Sequence, residues 1–235
     1  MSDSPERKFF ENIYRIFSRP LSNIDCGEKC GAFNEYGVPV CCDINLIVPS
    51  AYQAEWDYLK DMTDLWQPWS SSNPIDADLE DDVQDGQVLL KCLGFRQCQR
   101  QYRTMTCRAF PFFPYLDSKG NFLGLVYFQE YRELCWVISN LSIVTIAYKA
   151  EFQQAFNLLF MQYPESKESY SQFSSHLRNE KVISDDKIIL LDFEDNVLLL
   201  DPDSEISYQV SYEDLESFGP FSITKDLIFP DESPD

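Results

Sequence analysis

The cysteine content is the feature that most constrains this chain, which has eight cysteines among 235 residues. Seven of them fall into two groups along the chain, which are Cys26, Cys30, Cys41 and Cys42, followed by Cys92, Cys98 and Cys107. Gly27 and Gly31 flank the first pair, and glycines let the backbone fold tightly around a metal-bound sulfur. Free cysteines are often buried singly in cores. Grouping of this kind favours metal ligation over ordinary core packing.

The cellular compartment decides how such cysteines are interpreted. The first ten residues, MSDSPERKFF, lack the apolar segment of a secretory signal, and no apolar run is long enough to span a bilayer. We therefore expect a cytoplasmic protein without a membrane partner. In a reducing compartment, grouped cysteines are typical of metal ligands or catalytic thiols rather than of disulfides. Cys135, which lies in the apolar segment LCWVI, is expected to be a buried core thiol.

The distribution of charge gives a second indication. The formal net charge is −20, which disfavours nucleic-acid binding because phosphate backbones would be repelled. Residues 86–116 nevertheless contain no acidic residue and five basic ones, which are Lys91, Arg96, Arg100, Arg103 and Arg108. Positive charge stabilises thiolates and lowers their pKa values. This basic window therefore either supports the second cysteine group or forms a solvated strand face.

The spacing of the cysteines bears on the identity of the metal. Structural zinc usually binds two short Cys-x2-4-Cys pairs, and only Cys26 and Cys30 fit that spacing. We expect the adjacent Cys41 and Cys42 to point to opposite sides of a strand and not to share one ion. An iron–sulfur cluster tolerates irregular spacing because its thiolates surround a larger object. The sequence therefore favours a 4Fe-4S iron–sulfur cluster, with zinc as the alternative.

Other chemistries find little support in the sequence. The glycines form no phosphate-binding loop. A radical-SAM loop would need a third cysteine where Phe33 stands. The single histidine, His176, is distant in sequence from every cysteine, which disfavours a catalytic site that pairs it with a thiol.

Apolar periodicity and turn residues predict an α+β protein. The predicted helices are one that follows Ser50 and extends to Trp66, one at Tyr148–Tyr163 and one at Ser166–Asn179. The predicted strands are Gln87–Leu93, Asn121–Phe128, Lys187–Phe193, Val197–Leu200 and Ile206–Val210. Ser70–Gly86 is predicted to be an acidic loop. We expect a cysteine-rich metal-binding region with helices at residues 1–145, followed at 146–235 by a helical pair and a β-hairpin. Whether the two parts pack into one domain is left open.

The cysteine pattern also resembles a known family. Cys26, Cys30 and the Cys41-Cys42 pair, followed by Cys98, Arg103 and the run CRAFPF at 107–112, resemble the zinc- or iron-chelating cysteine-cluster family of YkgJ-like proteins. The resemblance covers roughly residues 25–117. That family is related to a flagellin lysine N-methylase thought to use an iron–sulfur centre. This chain departs from the family pattern in its longer spacer between Cys30 and Cys41 and in Thr104, where the family favours proline.

The resemblance implies a metal-binding protein in which Cys26, Cys30, Cys42 and Cys107 are the expected ligands. The alternate ligands are Cys41, Cys92 and Cys98. Arg103 holds the family's arginine position and Arg108 adjoins Cys107, so both are expected near the cofactor. Two other functions stay open: a metalloenzyme that modifies a protein side chain, as an N-methylase does, and a zinc-stapled interaction module. The acidic surface suits a basic or lysine-bearing partner protein.

Overall fold

The computed structural model describes residues 4–70, 83 and 86–224. Its first part contains α1 (Pro5–Ile16), α2 (Cys26–Gly31), β1 (Ser50–Tyr52), α3 (Gln53–Met62), β2 (Trp66–Pro68), β3 (Gln87–Cys92) and α4 (Met105–Ala109). The rest contains β4 (Phe112–Leu116), β5 (Phe122–Tyr127), α5 (Ile146–Gln162), α6 (Pro164–Ile183), β6 (Ile188–Leu191), β7 (Val197–Leu200), β8 (Ser207–Val210) and α7 (Phe221–Thr224). Helices and antiparallel sheets therefore occur together, and the predicted α+β class is confirmed.

The larger sheet has five strands in the order β4-β5-β6-β7-β8, and every pairing is antiparallel. The predicted hairpin forms β6 and β7, which pair from Ile188 opposite Leu200 to Leu191 opposite Val197. At the junction of β5 and β6, a side chain on Gly124 would lie 2.3 Å from the Leu191 carbonyl oxygen. Only glycine permits this close approach. The sheet thus joins strands from before and after residue 145.

The two long helices pack on this sheet and on each other. In α5, the buried side chains recur at helical spacing and include Phe152, Phe156, Leu159 and Phe160. Helix α6 begins with Pro164, whose missing N–H costs nothing in the first turn. Both helices were predicted, with ends that differ by a few residues.

Helix α6 covers the edge strand β4. The Leu116 N–H donates to Ser174 Oγ at 3.0 Å, and the Arg178 guanidinium donates to the Leu116 carbonyl at 2.7 Å. Unpaired backbone groups on an edge strand invite pairing with other chains. Here, side chains of a helix satisfy those of Leu116.

The smaller sheet corrects the prediction for residues 50–68. Its order is β1-β3-β2, so Ser50 lies in a strand rather than capping a helix, and Trp66 also lies in a strand. Helix α3 instead begins after Tyr52, whose N–H donates to the Glu55 carboxylate at 3.3 Å. Pairing with β3 outweighs helical periodicity at both ends of the segment, because local propensity is a weak preference that tertiary pairing overrides.

Helix α1 was not predicted. It is capped by the Ser4 side chain and buries Phe10, Ile13 and Tyr14. Most of the predicted acidic loop, and the chain from residue 225 onward, lie outside the described residues. Among the helices that the structure describes, none combines the length and the apolar character needed to cross a bilayer.

Candidate thiol site

A cavity of about 530 Å3 opens between α2, α4 and the loops beside them. Six cysteines line it, which are Cys26, Cys30, Cys41, Cys42, Cys107 and Cys135. We call this space the thiol cavity. Its volume lies within the range of about 300–1,000 Å3 that is usual for ligand sites. Five of the seven predicted metal ligands therefore line one cavity. Cys135, which was expected to be a core thiol, lines it as well.

Local sequence shapes the first wall of the thiol cavity. The Asp25 carboxylate caps α2 by accepting from the Gly27 N–H at 3.0 Å. The chain then turns back over α2, and a side chain on Gly31 would lie 2.9 Å from the Gly37 carbonyl oxygen. This close return brings Cys41 to the cavity beside α2. The long spacer after Cys30 is therefore a folded loop that leaves the cysteines together.

The prediction that Cys41 and Cys42 point apart is wrong. They lie in a single 3-10 turn, and their Sγ atoms are 3.9 Å apart. Neighbouring side chains in a 3-10 turn diverge by about a third of a circle, whereas those in a strand point to opposite faces. Zinc–sulfur bonds of about 2.3 Å in a tetrahedral site place two sulfurs about 3.8 Å apart. The two thiols can therefore contact one ion.

Helix α4 supplies Cys107. The Thr104 side chain caps this helix and accepts from the Cys107 N–H at 3.2 Å. Thr104 therefore starts this helix through its side chain. Burial raises the pKa of the Cys107 thiol to about 12, against the opposing charge of Arg103. A bound cation would be needed to hold this thiol as a thiolate.

Arg103 lies among the sulfurs. Its Nε donates to Cys98 Sγ at 3.1 Å, and its charge favours the thiolates of Cys26, Cys42 and Cys107. The pKa of Cys42 is lowered to about 7, first by the hydrogen bond from Cys41 and then by Arg103. Arg103 is therefore placed to stabilise negative charge on this group of thiols.

Arg108 has a different role. Its guanidinium donates to the carbonyl oxygens of Phe17, Arg103 and Gln101 and lies 4.2 Å from the ring centre of Tyr14. The side chain thus lines the thiol cavity and fixes the backbone around it. Elsewhere in the basic window, Arg100 lines the cavity, whereas Lys91 and Arg96 are exposed and do not. Arg103 therefore contacts a thiol of the second cysteine group, whereas Lys91 lies exposed on strand β3.

The remaining cysteines lie at the margins. Cys92 and Cys98 do not line the thiol cavity, and the Cys92 Sγ accepts from the Gly94 N–H at 3.4 Å. Negative charge on Cys42 or Cys98 would nevertheless raise the pKa of Cys92, so the three thiols are close neighbours. Cys135 is buried, as expected, but it faces the cavity near Cys30 and Cys26. Burial raises its pKa and favours the neutral thiol.

Sequence reasoning missed a buried carboxylate behind the site. Glu55 is fully buried and accepts from the Tyr14 hydroxyl at 2.7 Å and from the Met105 N–H at 2.6 Å. Burial raises the pKa of Glu55 to about 7. Met105 is the first residue of α4, so Glu55 positions the helix that carries Cys107. Its sequence context gave no signal, because the tyrosine three residues before it is not a capping-box residue.

The donor chemistry of the cavity fits a thiolate-bound metal. All eight cysteines are free thiols, and arginine charge lies beside them. Within residues 4–70, 83 and 86–224, no group of three or more histidine, cysteine, aspartate or glutamate side chains is arranged to hold one ion. Binding of one ion by three or more of these thiols would therefore require side chains of the cavity to rearrange. His176, on α6, does not line the cavity.

Comparison of the chain with protein-family models, with curated proteins and with solved structures found no match.

Proposed function

We propose that this chain is a metal-binding protein that holds an iron–sulfur cluster, or alternatively zinc, through the thiolates of the thiol cavity. The observation that carries the proposal is the convergence of free cysteines from α2, the 3-10 turn at 40–42 and α4 on one cavity beside Arg103. Five of the seven grouped cysteines line one cavity, which ordinary core packing of single thiols does not require. A shared cation explains the grouping.

The expected ligands are Cys26, Cys30, Cys42 and Cys107, with Cys41 as the nearest alternate. All five line the same cavity. The resemblance to the cysteine-cluster family supports this set, since both departures from the family pattern are accommodated: the spacer is a loop and Thr104 caps α4. Arg103 would stabilise the negative charge of a thiolate-bound centre through its position among the sulfurs.

Two observations bear on the identity of the metal. A cavity of about 530 Å3 has room for a group larger than a single ion, which favours the 4Fe-4S cluster. The separation of 3.9 Å between Cys41 Sγ and Cys42 Sγ matches a tetrahedral ion and favours zinc. Protein purified without oxygen should be assayed for iron, acid-labile sulfide and zinc. Brown protein with broad absorption near about 400 nm supports the cluster, and colourless protein with stoichiometric zinc supports the alternative.

The ligand assignment is tested by single substitutions. Cys26→Ser, Cys30→Ser and Cys107→Ser should each lower the metal-to-protein ratio sharply, because a serine hydroxyl is a poor ligand for these metals. The matched control is Cys135→Ala, which removes one thiol from the same cavity but one outside the expected ligand set. Unchanged metal content in two of the three serine variants would defeat the assignment. Wild-type protein that retains neither metal would defeat the proposed function.

A second candidate function is a metalloenzyme that modifies a protein side chain. The thiol cavity favours it because apolar groups such as Phe110 and Trp136 line it alongside the thiols, as in ligand pockets. The test is whether the metal in the loaded protein keeps one coordination position that an exchangeable ligand can occupy. Displacement of a bound water by cyanide or imidazole, followed by magnetic resonance or absorption, supports an enzyme, and an inert four-thiolate centre supports a structural staple.

A further inference from the structure

A second depression, separate from the thiol cavity, lies between β4, β5 and α6. Its volume is about 780 Å3. Its floor contains the buried side chains of Phe113, Tyr127 and Leu177. We call it the aromatic groove. None of its lining residues is a cysteine, and it shares no lining residue with the thiol cavity.

One wall of the aromatic groove is a face of α6. Phe173, His176, Leu177 and Glu180 follow one another at helical spacing and therefore share that face. Phe173 is 49% exposed although its ring lies 6.2 Å from that of Phe113. A half-exposed phenylalanine beside an apolar floor offers a large contact area to a partner.

The opposite wall is the segment that follows β5. It presents Leu134, which is 37% exposed, together with Glu130, Glu133 and Arg132. The guanidinium of Arg132 lies 5.6 Å from the ring centre of Phe218. Both walls of the groove thus carry an exposed apolar side chain and at least one glutamate.

The charge around the aromatic groove is negative. Its rim carries three glutamates, Glu130, Glu133 and Glu180, against the single arginine. Two further carboxylates, Asp186 and Glu216, lie near Tyr127 in the floor of the groove. Burial raises the pKa of Tyr127 to about 12, and the negative charge of these two carboxylates adds to the increase. This local excess agrees in sign with the net charge of −20 for the whole chain.

We propose that the aromatic groove binds a basic protein segment in which apolar side chains alternate with lysines or arginines. The apolar side chains would pack on Phe113, Phe173 and Leu134, and the cations would lie against the glutamates of the rim. This arrangement satisfies both features of the groove, because acidic rims select basic partners and speed their association while buried apolar contacts supply affinity.

The test measures fluorescence anisotropy of a labelled decapeptide, Lys-Lys-Leu-Lys-Lys-Phe-Lys-Lys-Leu-Lys. The triple variant E130Q/E133Q/E180Q should weaken binding at least about fivefold, since each exposed ion pair contributes modestly. Phe173→Ser should weaken it by a similar factor through lost apolar contact. The matched control E168Q/E194Q/D203N makes the same change in net charge at exposed positions outside the groove and should stay within about twofold of wild type.

Three outcomes would overturn the proposal. Equal loss of binding in the control variant would show non-specific attraction to an acidic surface. Unchanged affinity for a peptide with serine in place of leucine and phenylalanine would show that the apolar floor is not used. Concentration-dependent dimerisation that Phe173→Ser abolishes, without peptide binding to the wild type, would identify a second copy of this chain as the occupant. Circular dichroism of each variant confirms that the fold is retained.

Discussion

Glu55 gives this protein a specific dependence of stability on pH. Its carboxyl group is fully buried, and burial raises its pKa from 4.5 to about 7 despite three hydrogen bonds from Tyr14, Met105 and Tyr52. In the unfolded chain the same group titrates near its ordinary value. Between these two values the folded state holds more protons than the unfolded state. The free energy of unfolding therefore falls as the pH rises through this window.

The size of the effect follows from the shift. A rise from 4.5 to about 7, at about 1.4 kcal/mol per pH unit, corresponds to about 3 kcal/mol. The contribution of Glu55 is fully favourable below pH 4.5 and is lost by the time the pH exceeds about 7. Glu55→Gln removes the titrating group while keeping an oxygen that accepts from Tyr14 and Met105. The difference in unfolding free energy between wild type and variant should change by about 3 kcal/mol across the window.

Urea unfolding followed by tryptophan fluorescence, at half-unit steps between about pH 4 and pH 8, measures this difference. Other carboxylates titrate in both proteins and cancel in the comparison. Glu168→Gln, at an exposed position of α6, is the control and should leave the difference flat. A flat profile for Glu55→Gln as well would contradict this prediction, because it would show that the carboxyl group titrates with the same pKa in the folded and unfolded states.

Three further predictions concern the thiol cavity. Arg103→Ala should accelerate the loss of metal to a chelator, because the Arg103 guanidinium lies beside the sulfurs. Arg96→Ala, at an exposed position, should not. Equal rates for both variants would show that charge near the sulfurs is unimportant. Gly31→Ala should lower the free energy of unfolding by about 1–3 kcal/mol, because the added methyl group would press on the Gly37 carbonyl oxygen. Urea unfolding measures this loss, and an unchanged midpoint would contradict the close approach. Thr104→Ala should cost about 1 kcal/mol in the same assay and Thr104→Ser should restore most of it, since the hydroxyl caps α4; failure of serine to rescue would exclude capping as the cause.

Several elements could be predicted from the sequence because their signals are local. Helix α5 carries a continuous apolar periodicity, and Val197–Leu200 forms the second strand of a hairpin with turn residues before it. Helix α1 was missed, although Ser4 and Pro5 give a cap and a helix start. The ends of α3 were wrong because strands β1 and β2 pair with β3, and that pairing involves residues distant in sequence.

The kinds of chemical group at the candidate site are evident from the amino-acid sequence: many cysteines, arginines near them along the chain and an acidic remainder. Which of these groups meet depends on the fold. It directs Arg103 to a sulfur and Arg108 to backbone carbonyls, and it brings Cys135 to the cavity. It also places Glu55 behind α4. The physical reason is that residue type fixes what a side chain can bind, whereas its neighbours depend on packing between segments far apart in the chain, which local patterns do not encode.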